Sequence, residues 1–172
     1  MPVELVDYIR SIRGFPKPGI LFRDITPLLA SPQAFGEAID LMAAHYAGQQ
    51  IDTVVSAEAR GFIFAAPLAL KLGAGFVPAR KPGKLPFDTV SLEYQLEYGT
   101  DRLEMHIDGV AQGKNVLIVD DLLATGGTVS AIMRLVEKAA GNIVGCCFLI
   151  EIAALGGARR LAPYPIFSLI KY

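Results

Sequence analysis

The residues best placed to do chemistry stand close together near the middle of the chain. Asp120 and Asp121 follow the apolar run Val116-Leu117-Ile118-Val119 and precede the turn Ala124-Thr125-Gly126-Gly127-Thr128, after which Val129 to Ala140 has helical spacing. A short apolar run of this kind reads as a buried strand. The order is therefore strand, acidic pair, short turn, helix. The first N–H groups of a helix have no partner inside it, and the helix dipole adds partial positive charge at that end. A phosphate satisfies both. Gly126 and Gly127 let the backbone approach an anion without a Cβ in the way, and Thr125 and Thr128 add hydroxyl donors. Carboxylates accept hydrogen bonds from hydroxyls. The ligand that fits this order is a sugar phosphate, its hydroxyls on Asp120 and Asp121 and its phosphate on residues 124–128. The plainer alternative is a strand-to-helix turn that happens to carry two acids. The residue after Gly127 is Thr128 and not lysine, so the nucleotide loop G-x-x-x-x-G-K-[ST] is absent, as is G-x-G-x-x-G.

Three further groups of residues have chemical potential. Glu58-Ala59-Arg60-Gly61 follows a second apolar run, and its amides with the forked cation of Arg60 suit phosphate oxygens. Arg80, Lys81 and Lys84 form a local cationic cluster, either a second phosphate contact or a solvated loop. Phe15 to Pro27 is rich in Pro, Gly and aromatic residues and is too long for a plain turn. Phe22 in that segment either stacks on a planar ligand or packs into the core.

Elements that position these residues alternate along the chain. The pattern predicts a short helix over Val3 to Ile12. A second helix runs from Pro32 to Ala47, with Ser31 as N-cap and Pro32 at the first position. Thr53 to Ser56 reads as a buried strand, and Phe62 to Leu72 as the helix after it, closed by Gly73. Gly75 to Ala79, Val116 to Val119 and Ile143 to Glu151 read as further strands. Repeated strand–helix units predict an α/β fold with a doubly wound, mostly parallel sheet flanked by helices. Ligands in such sheets bind beyond the carboxyl ends of the strands, where each group above falls.

Composition narrows the class. The 172 residues carry a net charge of -1, with 52% hydrophobic and 19% charged residues. No basic excess suggests a nucleic-acid partner. The apolar surplus suits a subunit interface. Met1 to Arg10 lacks the apolar stretch of a signal peptide, and no uninterrupted apolar segment is long enough to span a bilayer. Cys146 and Cys147 are adjacent in an apolar run, and strand neighbours point to opposite faces, so burial is expected and not a disulfide. The expectation is a soluble protein of a reducing compartment. His45 and His106 stand far apart, with no zinc-type spacing.

The run Val116 to Thr128 resembles the signature for 5-phosphoribosyl 1-diphosphate (PRPP) in the type I phosphoribosyltransferases. The resemblance extends over nearly the whole chain. Phe15-Pro16-Lys17-Pro18-Gly19-Ile20-Leu21-Phe22-Arg23-Asp24-Ile25-Thr26-Pro27, Glu58 to Phe62, Arg80 to Pro86 and Ser91 to Gly99 point to the adenine branch of that family. The resemblance implies a single domain over 1–172, with an N-terminal base-binding hood at 1–30 and a flexible β-hairpin flap at 81–107, its second strand near Leu103 to Ile107. It implies transfer of the phosphoribosyl group from PRPP to adenine, giving AMP and diphosphate, a purine salvage reaction.

Residue roles follow from the same resemblance. Asp120 and Asp121 would bind the ribose hydroxyls, and Ala124, Thr125, Gly126, Gly127 and Thr128 the 5-phosphate. Glu58, Ala59, Arg60, Arg80, Lys81 and Lys84 would hold the diphosphate, with a cis peptide falling at Glu58–Ala59. Backbone groups of Leu21 and Arg23 would read the adenine edge, with Phe22 on its ring. Glu97 would exchange the proton at the base, beside Tyr98, in a flap that excludes water. Glu97, Asp120, Asp121 and Arg60 form the expected catalytic set. Mg²⁺ would arrive with PRPP, held by substrate oxygens and water, with Asp120 and Asp121 reaching it through water. A cytoplasmic homodimer, with no membrane or nucleic-acid partner, is implied. Two other readings share the PRPP residues: a transferase for a 6-oxopurine such as xanthine, and a non-catalytic PRPP-sensing regulator. The second lacks a basic helix-turn-helix pattern ahead of the first core strand.

Overall fold

The computed structural model describes residues 3–96 and 99–172. In chain order its elements are β1 (Arg10–Arg13), β2 (Leu21–Asp24), α1 (Thr26–Ala30), α2 (Pro32–His45), β3 (Thr53–Ala57), α3 (Arg60–Leu72) and β4 (Gly75–Ala79). There follow β5 (Thr89–Leu96), β6 (Gly99–His106), β7 (Asn115–Leu123), α4 (Gly127–Lys138), β8 (Asn142–Glu151), α5 (Gly157–Arg160) and β9 (Ile166–Lys171). Among the described residues, one five-stranded sheet runs in the order β4-β3-β7-β8-β9. Each neighbouring pair in it is parallel.

Burial explains why these segments are strands. Every residue of β3 is buried, as expected for a parallel strand covered on both faces. In β7, Val116 and Ile118 face one core while Leu117 and Val119 face the other. The period-2 alternation thus divides one strand between two layers. Phe64 and Leu68 of α3 pack in the first core with Leu117, and Ile132 and Leu135 of α4 pack in the second with Ile118. Cys147 belongs to the first core and Cys146 to the second, and both thiols are free and buried. The strand order reverses between β3 and β7, since β4 lies on one side of β3 and β7 on the other. A crevice forms at the carboxyl ends where such a reversal occurs.

Local signals for α2 and α3 match the structure. Ser31 Oγ accepts from the Ala34 N–H at 3.2 Å, and Gly73 ends α3 with φ 67°. Four expectations need correction. The helix expected over Val3 to Ile12 is only a 3-10 turn at Leu5–Tyr8, followed by β1 paired antiparallel with β2. Pairing across the ribbon outweighs the local helical spacing. The third core strand does not stop at Val119 but runs to Leu123, so the acidic pair lies inside it. The second hairpin strand begins at Gly99, pairing with Leu96, and not near Leu103. Finally, β9 adds a fifth strand beside β8 that the sequence reading lacked.

Candidate active site

The crevice between β3 and β7 is a cavity of about 210 Å³ whose wall includes Arg60, Asp120, Asp121, Thr125 and Thr128. Its floor follows from backbone chemistry. Gly126, the residue before α4, has φ 82°, and as the N-cap residue it offers no side-chain hydrogen bond to that helix. The first helical bond runs from the Ser130 N–H to the Gly126 carbonyl at 2.9 Å. The amides of Gly127, Thr128 and Val129 therefore precede the ladder and are open to an anion. An L side chain rarely adopts a φ such as that of Gly126, so the turn depends on glycine there.

The acids differ sharply. Asp121 is buried, and its Oδ2 lies 3.0 Å from Arg60 Nε. Asp120 accepts the Asp121 N–H on Oδ1 at 2.9 Å. Burial, and then the adjacent Asp121 charge, push the Asp120 carboxyl well above its ordinary range. Space for that carboxyl depends on Gly61. A Cβ there would stand 2.7 Å from Asp120 Oδ1 and 2.3 Å from Ser56 Oγ. Ser56 Oγ is buried without a hydrogen-bond partner among the described residues. Neither Ser56 nor Gly61 was singled out for this role from the sequence. A glycine directly after a candidate cation was the only available signal.

On the β3 side the Glu58–Ala59 peptide is cis. Glu58 accepts from the Lys81 N–H at 2.7 Å and lies 3.3 Å from Arg80 Nε. The Lys81 amide first, and the Arg80 guanidinium after it, hold the Glu58 carboxyl below its ordinary range. The cationic cluster is thus partly neutralised at home. Arg80 pairs with Glu58, and the Lys81 ammonium pairs with Asp101 of β6. Asp101 also accepts from the Tyr94 hydroxyl at 3.3 Å, so the hairpin is tied to Lys81. Lys84 contributes its carbonyl to Arg80 Nη1 at 3.5 Å.

The three residues expected at the base separate by face. Arg60 Cζ stands 5.6 Å from the Phe22 ring centre, bringing Phe22 to the crevice. Phe15 packs edge-on against Phe22 at 5.0 Å. The Arg23 side chain points elsewhere, bonding Ser11 Oγ and lying 3.6 Å over the Tyr172 ring. Leu21 is exposed. The backbone gives Leu21 and Arg23 a different use. Gly14 N–H donates to Ile20 at 2.7 Å, one step beyond the Arg13↔Leu21 pair. Bonded and non-bonded pairs alternate in an antiparallel ribbon. The N–H and C=O groups of Leu21 and Arg23 therefore face the open edge. Glu97 and Tyr98 lie outside the described residues.

A buttress behind the phosphate turn was also absent from the sequence reading. A Cβ on Gly157 would stand 2.4 Å from the Ala124 carbonyl and 2.8 Å from Leu123 Cδ1. The start of α5 is pressed backbone-to-backbone against the turn. The pair Gly156-Gly157 was the only visible signal for this contact. Among the described residues no group of three His, Cys, Asp or Glu side chains forms a metal cage. Two carboxyls meet at the crevice, one of them held by Arg60.

Comparison with known proteins agrees with this geometry. A family model for the phosphoribosyl transferase domain matches residues 24–170. Adenine phosphoribosyltransferase from Rhodopirellula baltica is 59% identical over 170 residues, covering 99% of this chain and 82% of that protein. The crystal structure of adenine phosphoribosyltransferase from Thermoanaerobacter pseudethanolicus superposes with a TM-score of 0.95 at 53% identity, covering 98% of each chain. The enzyme from Saccharomyces cerevisiae, solved with adenine and an imino-altritol bisphosphate, gives a TM-score of 0.91 at 39% identity over 96% of each chain.

Proposed function

This chain belongs to the phosphoribosyltransferase family, and from that premise we infer that it transfers the 5-phosphoribosyl group of PRPP to adenine, releasing AMP and diphosphate. One observation carries the reading: the acidic pair near the carboxyl end of β7 shares one crevice with the uncapped amides of α4, with Arg60 across it.

In this reading the 5-phosphate rests on the amides and hydroxyls of residues 124–128. Asp120 and Asp121 accept hydrogen bonds from the ribose hydroxyls. Adenine lies against Phe22, its polar edge read by the open backbone groups of Leu21 and Arg23. The bond from C1 to the diphosphate oxygen breaks with its electron pair leaving on the oxygen. A nitrogen lone pair of adenine forms the new bond to C1, and the proton on the base passes to Glu97. Positive charge grows at C1 as the old bond lengthens, and the nearby carboxylates stabilise it. The diphosphate is received by residues 58–60, Arg80, Lys81 and Lys84, with Arg80 and Lys81 partly released from Glu58 and Asp101. Asp120 and Asp121 would reach a Mg²⁺ brought by PRPP through water, and the ion would supply charge neutralisation at the diphosphate.

The remainder of the reading is a cytoplasmic homodimer in which residues 1–30 form a hood over the base and 81–107 a flap. Among the described residues no helix is long and apolar enough to cross a membrane. The two buried free thiols suit a reducing compartment. Leu70 at 83% exposure and Phe87 at 55% offer apolar surface for a second copy. The deciding experiment compares kcat/KM for adenine, hypoxanthine and guanine by diphosphate release. An amino group donates where an oxo group accepts, and each mismatched buried pair costs ~1–3 kcal/mol. Adenine should win by at least roughly 10-fold. Equal values for hypoxanthine would favour a 6-oxopurine enzyme, and no release with any base would favour a PRPP sensor.

A further inference from the structure

A second cavity of about 220 Å³ lies between β5, α4 and α5, and Gly127 lines both this cavity and the crevice. Nothing in the transferase reading uses it. Its walls include Arg134 of α4, Arg160 of α5 and the partly buried Ser130. Arg160 Nη1 lies 3.7 Å from the point where a Cβ on Gly127 would stand.

Charge sets this cavity apart. Arg10, Arg60, Arg80 and Arg102 each pair with a carboxylate. Arg13, Arg23, Arg134, Arg159 and Arg160 have no such partner among the described residues, and of these Arg134 and Arg160 line one cavity together. The acid on the same wall, Glu93, lies 3.5 Å from Arg102, and the Tyr94 hydroxyl is taken by Asp101. Two exposed arginines therefore line one partly enclosed space, the Arg160 guanidinium beside Gly127, and neither is in an ion pair among the described residues. Like charges brought together in this way favour an anion between them. Two planar forks and a hydroxyl match the several oxygens of a phosphate better than a single carboxylate.

We propose that the cavity bounded by Arg134, Arg160 and Ser130 binds a phosphate group, free or at the end of a nucleotide, separately from the crevice. A phosphate held there would join α5 to α4 beside the 5-phosphate turn. The proposal rests on the lining of this cavity, and the transferase reading enters only through the choice of blocking ligand.

The test is equilibrium dialysis of inorganic phosphate against the intact protein saturated with PRPP and Mg²⁺, without adenine. PRPP then occupies the crevice, and any phosphate retained reports the second cavity. About one phosphate per chain should be retained, as for one added site. Arg134→Gln and Arg160→Gln should each weaken it on the order of 10-fold, and together abolish it, while PRPP binding is unchanged. A parallel series with ATP in place of phosphate separates the two sources: displacement of phosphate by ATP assigns the site to a nucleotide. Retention of no phosphate, or its full retention by the double variant, overturns the proposal. So does an Arg160→Gln variant that loses PRPP by the same factor, because that would assign Arg160 to the 5-phosphate. A chain that binds no PRPP, yet loses phosphate in the double variant, would overturn the transferase reading and uphold this one.

Discussion

Arg60 and Asp121 meet across the reversal in strand order, Nε 3.0 Å from Oδ2, although one residue follows β3 and the other lies within β7. The same guanidinium stands 5.6 Å from the Phe22 ring. One side chain thus touches the groups assigned to the sugar and to the base. Replacing it should disturb both.

Arg60→Gln leaves Asp121 buried without its cation. Arg60 itself is 49% exposed, so the stability loss should be about 1–2 kcal/mol, less than for a fully buried pair. Activity should fall further, on the order of 100-fold in kcat/KM, since a charge-assisted contact is lost with the positioning of Asp121. Urea titration and steady-state assays separate the two. A variant with wild-type kcat/KM would detach Arg60 from the chemistry.

Asp120 gives a prediction with a pH sign. Its carboxyl is pushed up in the fold by burial and by Asp121. The folded chain keeps a proton that the unfolded chain has released, so stability is full below the ordinary carboxylate range. It declines as pH rises through the raised value. Asn carries a neutral side chain at every pH. Unligated Asp120→Asn should therefore melt above wild type at pH 8, and the gap should close toward pH 4. Turnover should drop roughly 10- to 150-fold through the lost ribose contact. A melting difference independent of pH would show that the acid is not strained by its site.

Gly61→Ala should be worse for activity than for folding. The new Cβ would stand 2.3 Å from Ser56 Oγ and 2.7 Å from Asp120 Oδ1. Overpacking of this kind costs ~1–3 kcal/mol, and Asp120 must move. Ser56→Ala alone should be close to neutral, because its hydroxyl has no partner to lose. Combined, the two substitutions should recover part of the activity, as expected for neighbours that couple. A strictly additive cycle would rule out the shared space.

Gly157→Ala tests the buttress. Its Cβ would press on the Ala124 carbonyl at 2.4 Å, so the phosphate turn must shift. KM for PRPP should rise on the order of 10-fold or more, with KM for adenine little changed. The PRPP-dependent rise in melting temperature should shrink. An unaltered PRPP shift would free the turn from dependence on α5.

Legibility in the sequence followed the range of the forces involved. The sequence of strand, Asp120-Asp121, turn and α4 was readable because each step is local: apolar run, acids, glycines, helical spacing. Ser31 and Gly73 were readable for the same reason, since caps act within a few residues. The helix expected over Val3 to Ile12 overran β1 because the partner strand begins only at Leu21, and three exposed residues with one half-buried Ile12 carry little pattern of their own. The short apolar run of β9 gives no periodicity that separates strand from helix. Arg80 and Lys81 were identifiable as cations, but their pairing with Glu58 and Asp101 was not, because it joins segments brought together only by the fold. Gly61, Ser56 and Gly157 matter through clearances of a few ångström, and no residue alphabet encodes a clearance.

Cys146 and Cys147 turn the two cores into separately addressable clocks. One thiol lies in each layer, both buried and both pushed up to about 12 by that burial. An alkylating reagent can reach either only when its own layer opens, so modification rates report opening on opposite sides of one sheet. With each cysteine replaced in turn by alanine, the remaining thiol times one layer alone. Substrate that acts through α4 and the hairpin should slow the Cys146 clock more than the Cys147 clock, which converts a pair of chemically silent residues into a directional record of where binding is felt.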